Sequence, residues 1–410
     1  MRLPLLVLGG CLAAAVVTVL LTVPFPVLSA AHPRVDVLRD FTTGEVSREQ
    51  AYHAAVRPPA YLSLVLGLIV SGVLGLTGVG ARLVGAIPGP WVVKAFGGTA
   101  AVFALGRLAT LPLDVWSERV QRRYGLSTQD WTGWVDDQLR GLGIGVVMTS
   151  IAVLVVLALA RRFPTGWWAP AAAASALLVV VGSFVYPVVV EPAFNSFTSL
   201  PAGPLRSDLL ALAARDDVPV EDVLVADASR RTTALNAYVS GFGSTRRIVV
   251  YDTLLTKSTP REVELIVAHE LGHAKRKDVL HGTLIGAFGG AAGIIGLSML
   301  LSWAPLLRRV GATGPGDPRV LPLVLFLAVA APLLLSPLTN LLSRHVEARA
   351  DLHSLELTGD VPTFIASEHR LAVTNLSDLD PGPLVYMLFF THPSSPQRIA
   401  FAREWERLHR

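Results

Sequence analysis

"IVAHELGHAKRKDVLHGTLIGAFGGAAGIIGLSML" runs from Ile266 to Leu300. Its first half carries His269 and His273, four residues apart, with Glu270 between them. Its second half is apolar enough to belong to a membrane span. On a helix, positions i and i+4 share a face, so both imidazoles reach one ion. The glutamate beside them is placed to act as general base on a zinc-activated water. The stretch sets a hydrolytic metal motif directly against a bilayer. The residues before it read as a helix start. Thr259 is the N-cap, Pro260 the first helical residue and Glu262 the capping-box partner. Gly272 is the one breaker in this helix. It costs about 1 kcal/mol against alanine and leaves room for close packing near the metal.

The whole chain fits a membrane setting. Of its 410 residues, 52% are hydrophobic and 16% charged, where soluble proteins carry about 25% charged residues. A net charge of +4 with no long basic run points away from nucleic acid. Cys11 is the single cysteine, which excludes an internal disulfide and a cysteine metal cluster. Lysine is scarce beside arginine, a bias of GC-rich coding, so a bacterial plasma membrane is the expected location.

Seven segments are long and apolar enough to cross: near 3–27, 60–79, 92–113, 143–160, 167–190, 280–304 and 320–342. The third is interrupted by Arg107, which implies a buried polar face or a snorkelling side chain. "LGGC" at Leu8–Cys11 faintly resembles a lipoprotein cleavage site. The apolar run continues past it, as in a retained span. The chain divides into spans one to five (1–190), a first catalytic segment (191–279), spans six and seven (280–342) and a second catalytic segment (343–410). Two crossings separate the catalytic segments, so both lie in one compartment. Lys275, Arg276 and Lys277 beside span six favour the cytoplasmic side.

Catalytic zinc takes three protein ligands and keeps a fourth position open. The third is sought in "NLLSRHVEARAD", Asn340–Asp351, where span seven leaves the bilayer. Asn340, Arg344, Glu347 and Asp351 form one helical stripe at i, i+4, i+7 and i+11. Glu347 is the expected ligand. Asp351, one turn on, is placed to orient a ligand histidine. His345 and His353 compete, but they point away from the stripe and read as surface histidines. His281 reads as interfacial.

Before the motif helix, "LNAYVS" and "RRIVVYD" read as arms of a β-hairpin joined by "GFGST". An exposed strand edge there would hold an extended peptide by backbone pairing. Asn236 and Tyr238 are candidate donors to the scissile carbonyl. In the tail, Ser395 and Pro396 start an amphipathic helix that contains Arg398, with His392 just before it.

These motifs, in this order, resemble the CAAX prenyl protease 1 family of integral-membrane zinc endopeptidases of the gluzincin kind. The likeness also takes in "EPAFNSFTSLPAGPLR" (Glu191–Arg206), "RRYGLSTQDWTGWVDDQ" (Arg122–Gln138) and "HPSSPQR" (His392–Arg398). It implies an all-α membrane protein whose seven transmembrane helices enclose a water-filled chamber, with a small α+β peptidase domain. It implies one Zn2+ held by His269, His273 and Glu347, Glu270 as base and Asp351 behind the ligands. His392 would stabilise the oxyanion, and Asn236 and Arg398 would hold the substrate or the site. The substrate would be a membrane-associated or CAAX-type peptide. Two other readings compete: a quality-control protease of the heat-shock type, which has fewer spans, and a transporter or structural protein with a dead site.

Overall fold

The computed structural model describes residues 2–23, 35–241, 243 and 246–410. Residues 24–27 of the expected first span, and Phe242, Ser244 and Thr245 of the hairpin loop, lie outside the described residues. Among the described residues seven helices are long and apolar enough to span: Arg2–Thr22, Thr43–Leu76, Trp91–Arg123, Trp131–Arg162, Trp168–Phe194, Asp278–Leu300 and Pro318–Thr358. The architecture is a helical membrane body with a small α+β domain beyond it.

Several of these helices run well past their apolar stretches. Hydropathy marks only the lipid-facing part, whereas a helix continues wherever its backbone bonds can. The second begins at Thr43, with a Thr42–Glu45 capping box, long before its apolar half. The seventh spanning helix is continuous over Leu321–Thr358 and there has 38 residues. At 1.5 Å per residue it is roughly 57 Å long, nearly twice the hydrocarbon thickness. Its far half carries the Asn340–Asp351 stripe out of the membrane region. Arg107 does sit on a polar face. Its Nη1 donates to Asp114 Oδ2 at 2.8 Å and its Nη2 to Gln138.

The domain's sheet has four strands in the order β1 (Phe197–Ser199), β2 (Asp222–Ala226), β4 (Arg247–Tyr251), β3 (Ala237–Ser240). β3 and β4 form the expected antiparallel hairpin, with Ala237 opposite Val250 and Ser240 opposite Arg247. β2 joins β4 in parallel, so β4 is central and β3 is an edge. Central placement explains why Ile248, Val249 and Val250 are all buried. Ile248 and Val250 pack with Val263, Val267 and Leu271 of the motif helix, Pro260–Lys275. That helix starts as expected, with the Thr259–Glu262 capping box formed.

The motif helix then lies along the outer half of the seventh helix. Ser354 Oγ donates to Leu265 O at 3.0 Å across this contact. Gly272 is needed there: a Cβ would stand 3.0 Å from His353 Cδ2 and 3.1 Å from its Cβ. His353 is not a surface histidine. It is largely buried, and its Nε2 donates to buried Asp216 at 2.9 Å, while Lys275 holds the other oxygen at 2.7 Å. His353 therefore has little freedom to yield. Gly272→Ala should lower stability by about 1–3 kcal/mol through overpacking, despite alanine's better helix propensity. Thermal unfolding of the detergent-solubilised protein checks this; an unchanged or raised midpoint would contradict the close packing.

Candidate metal centre

Two elements that are 78 residues apart in sequence meet here, the motif helix and the outer half of the seventh helix. His269 Nε2 lies 3.2 Å from Glu347 Oε2 and 3.2 Å from His273 Nε2. His273 Nε2 is 3.6 Å from Glu347 Oε2. His269 and Glu347 are buried and His273 nearly so.

The outer nitrogens are spoken for. His269 Nδ1 donates to Asp351 Oδ1 at 2.9 Å, and His273 Nδ1 donates to Asp278 Oδ2 at 2.9 Å. A carboxylate accepts only, so each imidazole presents Nε2 inward as a lone pair. Three electron-pair donors then face one point. Tetrahedral zinc with bonds of about 2.0–2.2 Å sets its ligands about 3.3–3.5 Å apart. The triangle found here fits that donor set. Burial opposes charge on His269, but the Asp351 and Glu347 carboxylates outweigh it and push its pKa up to about 10. His273 is likewise opposed by burial and pushed up to about 9, by Asp278 and Glu347.

Asp351 is 1% exposed and doubly tied. Arg398 donates Nε to its Oδ2 at 2.8 Å and Nη2 to its Oδ1. Arg398 Nη1 pairs with buried Glu368 at 2.7 Å. Arg398 thus supports the metal site. It reaches there on the terminal helix, Ser395–His409, whose N-cap is Ser394, one residue before the expected Ser395. The Ser394 hydroxyl and Gln397 side chain form the capping box.

Glu270 is half-buried on the same helix face, and burial pushes its carboxyl above the usual carboxylate range. His392 Nε2 stands 3.2 Å from Glu347 Oε2, with the ring partly exposed. A cavity of about 380 Å³ opens beside the cluster, lined by Asn236, His269, Glu270, Glu368, His392 and Arg398 among others. Asn236 therefore reaches the site. Tyr238 does not line this cavity; its hydroxyl donates to Glu191 Oε2 at 3.3 Å. Asn236 precedes the strand, so the period of two that would have put both residues on one face does not extend to it.

Two contributors escape the sequence reading, Asp278 and Arg349. Asp278 lies five residues after His273, off its helical face. The left-handed Lys277, at φ 58°, ends the motif helix and swings Asp278 back. Arg349 fastens Asp278 from the seventh helix. The stripe itself divides. Glu347 and Asp351 face His269. Asn340 and Arg344 instead bind carbonyls of the short helix Pro383–Phe389 and its exit. Asn340 Nδ2 donates to Met387 O at 3.1 Å, and Arg344 Nη1 to Tyr386 O at 3.2 Å and Phe390 O at 2.6 Å. This anchors the turn that delivers His392.

Known proteins resemble this chain over most of its length. Residues 199–406 match the model of peptidase family M48, and residues 36–196 match "CAAX prenyl protease N-terminal, five membrane helices". An uncharacterized metalloprotease, YhfN, of Bacillus subtilis is 34% identical, over 73% of this chain and 71% of its own. A CAAX prenyl protease 1 homolog of Oryza sativa is 28% identical over the same shares, 73% and 71%. The crystal structure of S. mikatae Ste24p superposes with a TM-score of 0.80 at 20% identity, over 97% of this chain and 98% of that one, a likeness of fold.

Two outcomes test the site. Asp278→Asn should weaken zinc affinity about 10–100-fold, as loss of an outer partner does; an unchanged zinc titration would make Asp278 a bystander. The neighbouring carboxylates raise the proton affinity of both rings, to about 10 and about 9, and their Nε2 atoms, 3.2 Å apart, can share one proton but not carry two. Zinc loading should therefore release a proton, and affinity should climb as pH rises toward those values. Calorimetry in buffers of different ionisation enthalpy measures the release; none at pH 7 would contradict the assignment.

Proposed function

This chain belongs to peptidase family M48 and is a multi-pass membrane metalloprotease, and from that premise we propose a zinc-dependent endopeptidase that cuts extended, membrane-associated peptides, CAAX-type tails included. The observation that carries this is the buttressed triangle of His269, His273 and Glu347, with Glu270 free of it and facing the cavity. The seven spans and the matched five-helix membrane segment favour this reading over a heat-shock-type protease or an inert transporter.

A zinc ion held by those three residues would supply a Lewis acid that acidifies water and polarises a carbonyl. The remaining work falls to the chain. Glu270, its proton affinity raised by burial, takes a proton from the attacking water and passes it to the departing amine. His392 donates to the substrate carbonyl oxygen as negative charge develops there. Asn236, at the mouth of edge strand β3, holds the peptide backbone in register. Arg398 and Asp351 keep His269 in its productive tautomer. The catalytic face is assigned to the cytoplasmic side of a bacterial plasma membrane, in keeping with Lys275–Lys277 beside the sixth span.

Backbone pairing takes little account of side chains, so a prenyl group should not be required. Purified enzyme should cut matched peptides with and without a C-terminal farnesyl cysteine, and should spare a folded soluble protein. Glu270→Gln should keep its zinc and lose at least about a thousandfold in turnover, because the base is removed and no ligand is. Cleavage of the farnesylated peptide alone would mark a strict prenyl protease. Wild-type turnover in Glu270→Gln would remove Glu270 as base.

A further inference from the structure

Glu368 stands at the floor of the catalytic cavity on the helix Val361–Asn375 and is 3% exposed. One of its oxygens takes the hydrogen bond from Arg398 Nη1, at 2.7 Å. The other, Oε2, is buried and makes no hydrogen bond of good geometry, although the Ser395 hydroxyl beside the carboxylate stabilises its charged form. Buried polar atoms are nearly always paired, so an orphaned carboxylate oxygen calls for a donor.

The local charge asks for the same thing. Arg398 is the one guanidinium among the described cavity-lining residues, and it is fully engaged. Its Nε and Nη2 serve Asp351, and its Nη1 serves Glu368. Two carboxylates thus share one cation. Asp378, also on the lining, is paired outward to Arg57. The cavity offers negative charge and no unengaged cation. Leu235, Leu265, Phe364 and Leu371 make part of its wall hydrocarbon, and polar side chains make the rest. A volume of about 380 Å³ accommodates a long side chain.

We propose that this cavity is a subsite for a lysine or arginine side chain of the substrate, with Glu368 Oε2 as the acceptor for its charged head. The aliphatic stem lies along the apolar walls while the head reaches the carboxylate at the end. A charge-assisted hydrogen bond satisfies the orphaned oxygen and balances the surplus carboxylate. Burial raises the proton affinity of the Glu368 carboxyl, to about 7, against the pull of Arg398. The same arrangement refuses anions. An aspartate or glutamate side chain in this subsite would meet carboxylates and an already engaged guanidinium. The subsite thereby favours peptides that carry a basic residue near the cut.

This inference rests on the endopeptidase reading, and the test separates the two. Quenched fluorescent peptides of one scaffold, amidated at the C-terminus, carry Lys, Leu or Glu in turn at each position flanking the cut. Zinc-loaded wild type and Glu368→Gln are compared by the ratio of kcat/KM between peptides. At one position wild type should prefer Lys over Leu by about tenfold or more, and Glu should be cut least. In Glu368→Gln the Lys-to-Leu ratio should fall toward one. Zinc-dependent cleavage with no preference for Lys at any position overturns the subsite and leaves the protease reading intact. A Lys preference that persists in Glu368→Gln also overturns it, leaving Glu368 only as a support for Arg398. The wild-type ratios decide even if the variant fails to fold. Absence of zinc-dependent cleavage of every peptide would overturn both readings.

Discussion

A single buried carboxylate holds this protein's two halves in register. Asp351 accepts from His269 on one side and from Arg398 on the other. His269 belongs to the helix before the sixth span, Asp351 to the extension of the seventh, and Arg398 to the terminal helix. A buried carboxylate is tolerable only where its lone pairs are met. Three distant segments must therefore close on it together or leave it uncompensated. Once they do, His269 has one tautomer and one orientation, and Glu347, one turn before Asp351, is brought to it. The outer half of a membrane helix thus becomes the wall of a hydrolytic site.

The membrane body serves this geometry in a specific way. Spans six and seven return the chain to its own side, so the motif helix and the Glu347 stripe meet. The left-handed turn at Lys277 lets the sixth span begin at Asp278, which faces His273. Arg349 then binds Asp278 and also the carbonyl of Thr22 at the end of the first span, at 2.7 Å. The histidine pair is therefore buttressed from two spans and the terminal helix. The same stripe, one to two turns nearer the membrane, fixes the short helix that leads to His392. Metal cluster and cavity wall share one rigid rod.

Much of this was legible in the sequence, because helical spacing is a strict code. His269 and His273 at i and i+4, and Glu347 and Asp351 at i and i+4, could only share faces. Thr259 and Glu262 announced the motif helix. The apolar stretches located every span but not its ends, since hydropathy responds to lipid and not to backbone continuity. Asp278 was hidden by the left-handed turn, which no residue type demanded. Glu368 and Asp216 were hidden because their roles depend on partners more than twenty residues away in sequence. Tyr238 misled because Asn236 lies just outside the strand. Arg344 carried the right spacing and a different duty, holding carbonyls where the metal ligands' row continues.

The central claim is that one zinc sits on two imidazoles from the motif helix and one carboxylate from the seventh helix. X-ray absorption at the zinc edge of the purified protein, paired with metal analysis, tests it most directly. The account predicts about one zinc per chain with two imidazole nitrogens and light oxygen ligands at about 2.0–2.2 Å. It predicts loss of a carboxylate oxygen, and of most of the metal, in Glu347→Ala. An unchanged coordination sphere and full zinc content in Glu347→Ala would contradict it.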